Sequence, residues 1–406
     1  MKIMFISDSI KYVGVDDKDI DLFESQYVVP DGVSYNSYII FDDKITIMDT
    51  VDARATEEWV KNVEEALDGK KPEYLVISHL EPDHAANIKL IADKYPDMKL
   101  IGNAKTFQML PQFFDEDFSD RQVVVKEGDE ISLGKHSLTF VMAPMVHWPE
   151  VMVAYEKTEK ILFSADGFGK FGALDTEDEE GWACEARRYY FNIVGKYGAQ
   201  VQNLLKKAAA LDIQTICPLH GPVLKENLGY YLNLYNTWSS YEPEDEGVLV
   251  AYASIHGNTA KAAKQIAEKL KAKGVEKMEV MDLSRDDMAE AVEAAFRYDK
   301  MVLACATYDG GLFPVMEDFL GHLKAKNFQK RKAALVENGS WAPLAAKKMR
   351  ESLEGMKNIE ICENTVSIKS TVKAENVEQM DKMIDELLEN NIRDIGVIIR
   401  FCPCII

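Results

Sequence analysis

The sequence is poor in the residues that make crosslinks. Cysteine accounts for only 6 of 406 residues, and Cys184, Cys217, Cys305 and Cys362 are scattered singly. That spacing excludes a disulfide framework and points to a reducing, cytosolic compartment. No pair of CxxC motifs occurs, which excludes a four-thiolate iron centre. Positive charge is also short, with 47 Lys and Arg against 68 Asp and Glu and a net charge of -21. A nucleic-acid binder needs a basic face for phosphates, and an anionic membrane attracts basic segments. Neither partner suits this chain. No apolar run approaches the roughly 20 residues that cross a bilayer. The N-terminus, MKIMFISDSIKYVGVDDKD, has an apolar stretch soon broken by Ser and Asp and no small-residue cleavage site. No signal peptide is expected. Internal repeats and low-complexity tracts are absent as well.

Hydrophobic residues make up 47% of the chain, enough for more than one core at this length. The first half alternates strand-like runs with turns: 35–43 (YNSYIIFDD), 44–51, 73–80 and 137–144 (SLTFVMAP). Helical spacing appears over 55–69 and 201–211. Near 239–247 the composition turns polar and acidic (SSYEPEDEG), a linker signature. Beyond it, strand and helix alternate as five βα units, the last strand read over 359–369 (IEICENTVSIK). That pattern predicts a doubly wound parallel sheet. The expected domains are 1–243 and 247–391. The apolar tail 392–406, with Cys402 and Cys404, is left without a role.

Histidine is scarce, with 7 in the chain. The run His79-Leu80-Glu81-Pro82-Asp83-His84 directly follows the apolar strand EYLVIS. Residues two apart at a strand end share a face, so His79 and Glu81 point together. Pro82 then bends the chain, and Asp83 and His84 turn back toward the same place. Further candidates stand alone at strand ends: His147 in MVHWPE, Asp166 in SADGF and His220 in PLHGP. Taken singly, each is an ordinary polar residue at a strand end. Together they exceed what one metal needs and suit two metals sharing a bridging carboxylate. His136 and His322 fit no motif and are expected at the surface.

In the second half, strand VLVAYA runs into Ser254-Ile255-His256-Gly257-Asn258-Thr259 and then a helix. Small residues, hydroxyls and free backbone N–H groups at a helix start cradle phosphate. The loop has neither the Gly-Lys pair of a P-loop nor a GxGxxG. Two later strand ends carry Thr307-Tyr308-Asp309-Gly310-Gly311 and Asn338-Gly339-Ser340-Trp341. In a doubly wound sheet these loops open on one edge. Glycine lets the backbone approach a flat ring, and Tyr308 or Trp341 is available to stack on it.

The metal pattern resembles the metallo-β-lactamase signature HxHxDH, with Glu81 in place of the second His. Carboxylate plus imidazole favours iron redox chemistry over a zinc hydrolase set. HxExDH followed by a flavodoxin-like phosphate loop resembles the flavodiiron proteins, over about residues 1–390. The resemblance implies an α/β chain, an N-terminal metallo-β-lactamase-like αββα domain followed by a C-terminal flavodoxin-like doubly wound parallel sheet. It implies two iron ions and an FMN. His79, Glu81 and His147 would hold one iron, Asp83, His84 and His220 the other, and Asp166 would bridge. It further implies reduction of dioxygen to water, or of nitric oxide to nitrous oxide, with electrons from a separate rubredoxin or a reduced deazaflavin. A head-to-tail homodimer, or a dimer of such dimers, belongs to the same set of expectations. The rival readings are a zinc-dependent hydrolase of the glyoxalase II type fused to a flavodoxin, and a non-catalytic electron carrier.

Overall fold

The computed structural model describes residues 4–176 and 181–389. The tail 392–406 lies outside the described residues. The chain divides into two compact units. The first comprises Met1–Asp245 with Asp286–Arg297 and Gly321–Gln329. The second comprises Glu246–Arg285, Tyr298–Leu320 and the described residues from Lys330 onward.

The first unit is built on two sheets. One runs in the spatial order Met4–Phe5, Ile10–Tyr12, Tyr38–Ile40, Thr46–Met48, Tyr74–Val76, Lys99–Asn103 and Gln122–Val125. Its early pairs are antiparallel and its later ones parallel. The other runs Glu130–Ser132, Ser137–Met142, Met152–Glu156, Ile161–Phe163 and Thr215–Cys217. Apolar side chains from both sheets fill one core, among them Ile40, Val76, Phe140, Ala154, Phe163 and Cys217. Burying one face of each sheet is what drives such a sandwich together.

Several expected elements take a different form. The run 35–43 is two strands, Val33–Tyr35 and Tyr38–Ile40, broken at Asn36. Asn36 turns inward and donates to the carbonyls of Pro218 (2.9 Å) and Gly221 (2.8 Å), while accepting from the Tyr12 hydroxyl (3.0 Å). Its side chain replaces a ladder with a tie to the loop bearing His220. The stretch 239–247 is not a solvated linker. Helix Leu228–Ser239 ends there and strand Asp245–Ala253 begins within it. Between them the buried Tyr241 donates to the Gly195 carbonyl (2.9 Å), and Glu244 accepts from Arg187 (2.7 Å) and the Trp238 indole (2.6 Å). His136 is buried rather than at the surface, its Nδ1 lying 3.1 Å from the Glu156 carboxylate. A carboxylate faces the buried ring without a hydrogen bond to Nδ1, and it stands 20 residues away, so spacing alone hid it. His322 is half-buried.

The second unit carries a sheet in the order Met278–Asp282, Asp245–Ala253, Tyr298–Tyr308, Gln329–Asn338 and Lys357–Ile361, with Val366–Ile368 also beside Gln329–Asn338. Numbered along the chain this is 2-1-3-4-5, the flavodoxin-like winding. Asp245–Ala253 pairs parallel with Met278–Asp282, and Gln329–Asn338 pairs parallel with both Tyr298–Tyr308 and Val366–Ile368. The expected last strand 359–369 is split because the backbone N–H groups of Glu363 (2.6 Å) and Asn364 (2.9 Å) leave the ladder to donate to the Glu386 carboxylate. Helices Asn258–Ala272 and Ala374–Leu388 pack on one core that includes Val250, Ala262, Ile266, Met380 and Ile384.

Candidate di-metal centre and flavin cleft

The loop after strand Tyr74–Val76 becomes a single helical turn, Pro82–Ala85. Proline suits the first helical position because its missing N–H is not needed there. The turn carries Asp83 and His84, while Glu81 sits just outside as its N-cap. His147 follows Ser137–Met142, Asp166 follows Ile161–Phe163, and His220 follows Thr215–Cys217. Gly221 lets the last turn close: a Cβ there would meet Lys170 Cγ at 2.6 Å, and its φ is +78°.

These loops bring all the metal candidates named from the sequence to one place, in two groups. His79, Glu81, His147 and Asp166 form one, and Asp83, His84 and His220 the other, with the ligand atoms of each within 4.8 Å of one another. Asp166 serves both. Its Oδ2 lies 3.4 Å from His79 Nε2 and 3.3 Å from His147 Nε2. Its Oδ1 lies 3.2 Å from His84 Nε2 and 3.9 Å from His220 Nε2. Glu81 Oε2 is 3.0 Å from His147 Nε2, and Asp83 Oδ2 is 3.2 Å from His220 Nε2.

The electrostatics are those of imidazoles facing carboxylates. Burial lowers the pKa of His79, but Asp166, Glu150 and Glu81 outweigh it and raise it well above the ordinary value. Burial is likewise outweighed at His147, raised to about 9 by Asp166 and Glu81. Asp166, despite its burial, is held well below the carboxylate range by His79, His147 and His84.

Yet both oxygens of Asp83 and of Asp166, both ring nitrogens of His84, and Nε2 of His147 and His220 are buried without a hydrogen-bond partner among the described residues. Buried polar atoms are nearly always satisfied, and each exception asks for a further partner such as an ion. These converge on one place and combine imidazole nitrogen with hard carboxylate oxygen, a donor set that fits iron.

Some contributors carry no sequence signal. Glu150, fully buried, accepts from His79 Nδ1 (2.8 Å) and from the Leu80 N–H (2.9 Å). His220 Nδ1 donates to the Ser34 carbonyl (2.7 Å). Asp49 takes the Ser78 N–H at 2.6 Å, and burial raises its carboxyl to about 6. The rings of Phe23, Tyr35 and Tyr189 pack around His220, at centroid distances of 5.4, 6.1 and 5.5 Å. The only hint of Glu150 was its place just after HWP; the others sit in unremarkable strands and loops.

In the second unit the three strand-end loops line one cleft of about 570 Å³. Ile255, His256, Asn258, Thr259, Thr307, Tyr308, Asp309, Gly310, Asn338, Gly339, Ser340 and Trp341 reach it, as do Leu344 and Ser370, which the motifs had not indicated. Gly311 lines a neighbouring cavity instead. Ser254 and Gly257 shape the loop from behind: the Ser254 hydroxyl accepts the Gly257 N–H at 3.1 Å. Gly257, at φ +86°, starts helix Asn258–Ala272 with no side chain capping it, so first-turn N–H groups remain for an anion. The Thr307 hydroxyl is already engaged, accepting from Leu344 N–H (2.9 Å) and Ala345 N–H (3.2 Å). Asn338 is tied to Ser370 through both ends of its amide, at 2.9 and 3.0 Å. Trp341 is 91% exposed and Tyr308 44%, two flat rings with open faces at the cleft mouth. Volume, uncapped N–H groups and exposed rings fit a phosphate-bearing flavin.

Comparison with known proteins agrees with both halves. Residues 33–221 match the ODP family beta lactamase model and 249–399 a flavodoxin domain. The chain is 30% identical to an uncharacterised protein of Methanocaldococcus jannaschii, over 88% of this chain and 90% of that one. It is 29% identical to a nitric oxide reductase of Moorella thermoacetica, over 87% and 90%. Its fold matches the rubredoxin oxygen:oxidoreductase of Desulfovibrio gigas with a TM-score of 0.89 and 26% identity, covering 95% of this chain and 98% of that one. Fold and site together define a metallo-β-lactamase-like metal domain joined to a flavodoxin. The chain belongs to the flavodiiron proteins, oxidoreductases that carry a di-iron centre and FMN.

Proposed function

We propose that this chain reduces dioxygen to water. His79, Glu81 and His147 would hold one iron, Asp83, His84 and His220 the other, with Asp166 between them. The observation that carries the reading is Asp166, whose two oxygens face two separate ligand groups at 3.2–3.4 Å. When bound, the iron pair and the flavin would supply two electrons each, together the four that reduction of dioxygen to two waters consumes.

The protein's own part is to bind, position and exclude. His79 and His220 are kept in a single orientation by Glu150 and the Ser34 carbonyl, so that each turns Nε2 inward. Glu81 is the most accessible of the seven side chains at 16%, which puts the approach on its side. The aromatic rings around His220 and the burial of the remaining ligands favour a small uncharged substrate over a bulky thioester. That argues against the zinc-hydrolase reading. In the second unit, the loop at 254–259 would hold the FMN phosphate and Trp341 or Tyr308 would cover the ring.

Nitric oxide reduction to nitrous oxide is the second reading, favoured by the similarity to the Moorella enzyme. A separate rubredoxin is the proposed donor, a reduced deazaflavin the alternative, and a head-to-tail homodimer in the cytosol the proposed working form. Among the described residues no helix is long and apolar enough to cross a membrane. Anaerobic stopped flow of the reduced protein against dioxygen and nitric oxide in parallel tests the reading. Rapid flavin reoxidation by dioxygen is expected; if neither gas oxidises the FMN, the proposal fails.

A further inference from the structure

We propose that Glu150 is a positioning residue that makes the two metal groups unequal, by hydrogen-bonding a buried carboxylate to the outer nitrogen of His79 alone. The inference rests on the two-metal reading above. Glu150 is fully buried, and its Oε1 accepts from both His79 Nδ1 (2.8 Å) and the Leu80 N–H (2.9 Å). One oxygen therefore ties the ring and the adjoining backbone together. The Glu150 backbone is itself held, its carbonyl accepting from Asn103 Nδ2 at 2.6 Å. The second oxygen, Oε2, is buried with no hydrogen-bond partner among the described residues. No side-chain donor draws the charge away from His79.

Among the described residues the other group has no carboxylate hydrogen-bonded to an outer nitrogen; the buried Asp49, tied to the Ser78 N–H, acts on both His84 and His79 through its charge alone. His220 Nδ1 meets a neutral acceptor, the Ser34 carbonyl, at 2.7 Å. His84 Nδ1 is buried and makes no hydrogen bond. The inward-facing donors are nearly matched, because each group has two imidazoles, one carboxylate of its own and one oxygen of Asp166. What differs is what stands behind them. A carboxylate hydrogen-bonded to the outer nitrogen raises the basicity of the inner one, whereas a carbonyl does so less. The ion held by His79, Glu81 and His147 is thus the more tightly bound and the more electron-rich.

Glu150→Gln isolates the charge. It keeps the volume and an amide oxygen able to accept both N–H groups. Metal-free, FMN-loaded protein is titrated with cobalt(II), and protein loaded with iron-57 is measured by Mössbauer spectroscopy. The variant is expected to weaken the tighter of two binding steps by about 10–100-fold, to leave the weaker step unchanged, and to move one quadrupole doublet while the other stays. Glu156→Gln, a buried carboxylate that caps the Thr158 and Glu159 N–H groups instead, controls for general damage and should alter neither step. Equal weakening of both steps, or no change in either, overturns the proposal. Wild-type protein that binds fewer than two ions refutes the two-metal reading and this inference with it.

Discussion

Asp166→Asn is the sharpest test of a shared carboxylate. The side chain is 1% exposed and makes no hydrogen bond, so an amide of the same shape should be accommodated. What changes is charge, and the NH₂ turned toward one group or the other has no lone pair to offer. Four imidazole Nε2 atoms lie 3.2–3.9 Å from the Asp166 oxygens, two on each side. Unit charges about 4 Å apart interact by about 4 kcal/mol at an effective dielectric of about 20. That is about a thousandfold in affinity, applied to both ions because each oxygen serves a different group. The assay is iron and FMN per chain after dialysis against a chelator. Asp166→Asn should lose both ions and retain its FMN. Glu81→Gln should lose the ion of its own group first, and Asp83→Asn the other. A variant at 166 that keeps both ions, or sheds only one, refutes the bridging assignment.

Further outcomes follow from other parts of the chain. Arg187, 2% exposed, holds Glu244 at 2.7 and 2.8 Å and also bonds Glu293. Arg187→Met removes the cation that faces two largely buried carboxylates and should cost about 3–5 kcal/mol in urea unfolding; a loss below about 1 kcal/mol would contradict this. Trp341→Ala should weaken FMN binding by about 1 kcal/mol, about fivefold, in titrations of deflavinated protein. Because Trp341 is 91% exposed, the melting temperature of the flavin-free form should not move. If Tyr308→Ala shows that pattern and Trp341→Ala does not, the stacking ring is Tyr308. Glu386 is pushed up by burial but pulled further down by the N–H groups of Asn364 and Glu363, so its pKa lies below the ordinary 4.5. Its contribution is present above that ordinary value and lost as pH falls through the depressed one. Glu386→Gln should therefore be less stable than wild type at pH 7, by about 1 kcal/mol given partial solvent screening. The two should converge in acid below that range; a gap that persists there would refute the assignment.

The legible parts of the sequence were those where chemistry and local geometry coincide. HxExDH packs its donors into six consecutive residues, and a strand end followed by Pro82 leaves them few directions to point. The phosphate loop was legible for the same reason, since Gly257 and the helix it starts are adjacent in sequence. Glu150 was not, because nothing at position 150 tells which of many buried groups it meets; its partner, His79, is 71 residues away. His136 was misplaced for a related reason, its carboxylate partner lying on another strand. The strand breaks at Asn36 and Asn364 are tertiary overrides. Both runs have β-forming residues, but a long-range hydrogen bond to a loop or to Glu386 outbids the ladder.

The placement of the metal donors explains why this scaffold suits a two-ion centre. Glu81, Asp83 and His84 come from a loop of one sheet, while His147, Asp166 and His220 come from strand ends of the other. Each ligand group therefore draws on both sheets. An ion in either group adds a further tie between two layers already joined by an apolar core and by hydrogen bonds such as that of Asn36 to the Pro218 carbonyl, and its binding free energy adds to the stability of the sandwich rim. The requirement runs the other way as well. Two sheets held by a common core fix their strand ends to within the tolerance of packed side chains, so carboxylates and imidazoles too crowded to be comfortable alone are kept facing one another. The unsatisfied oxygens of Asp166 are the residue of that bargain.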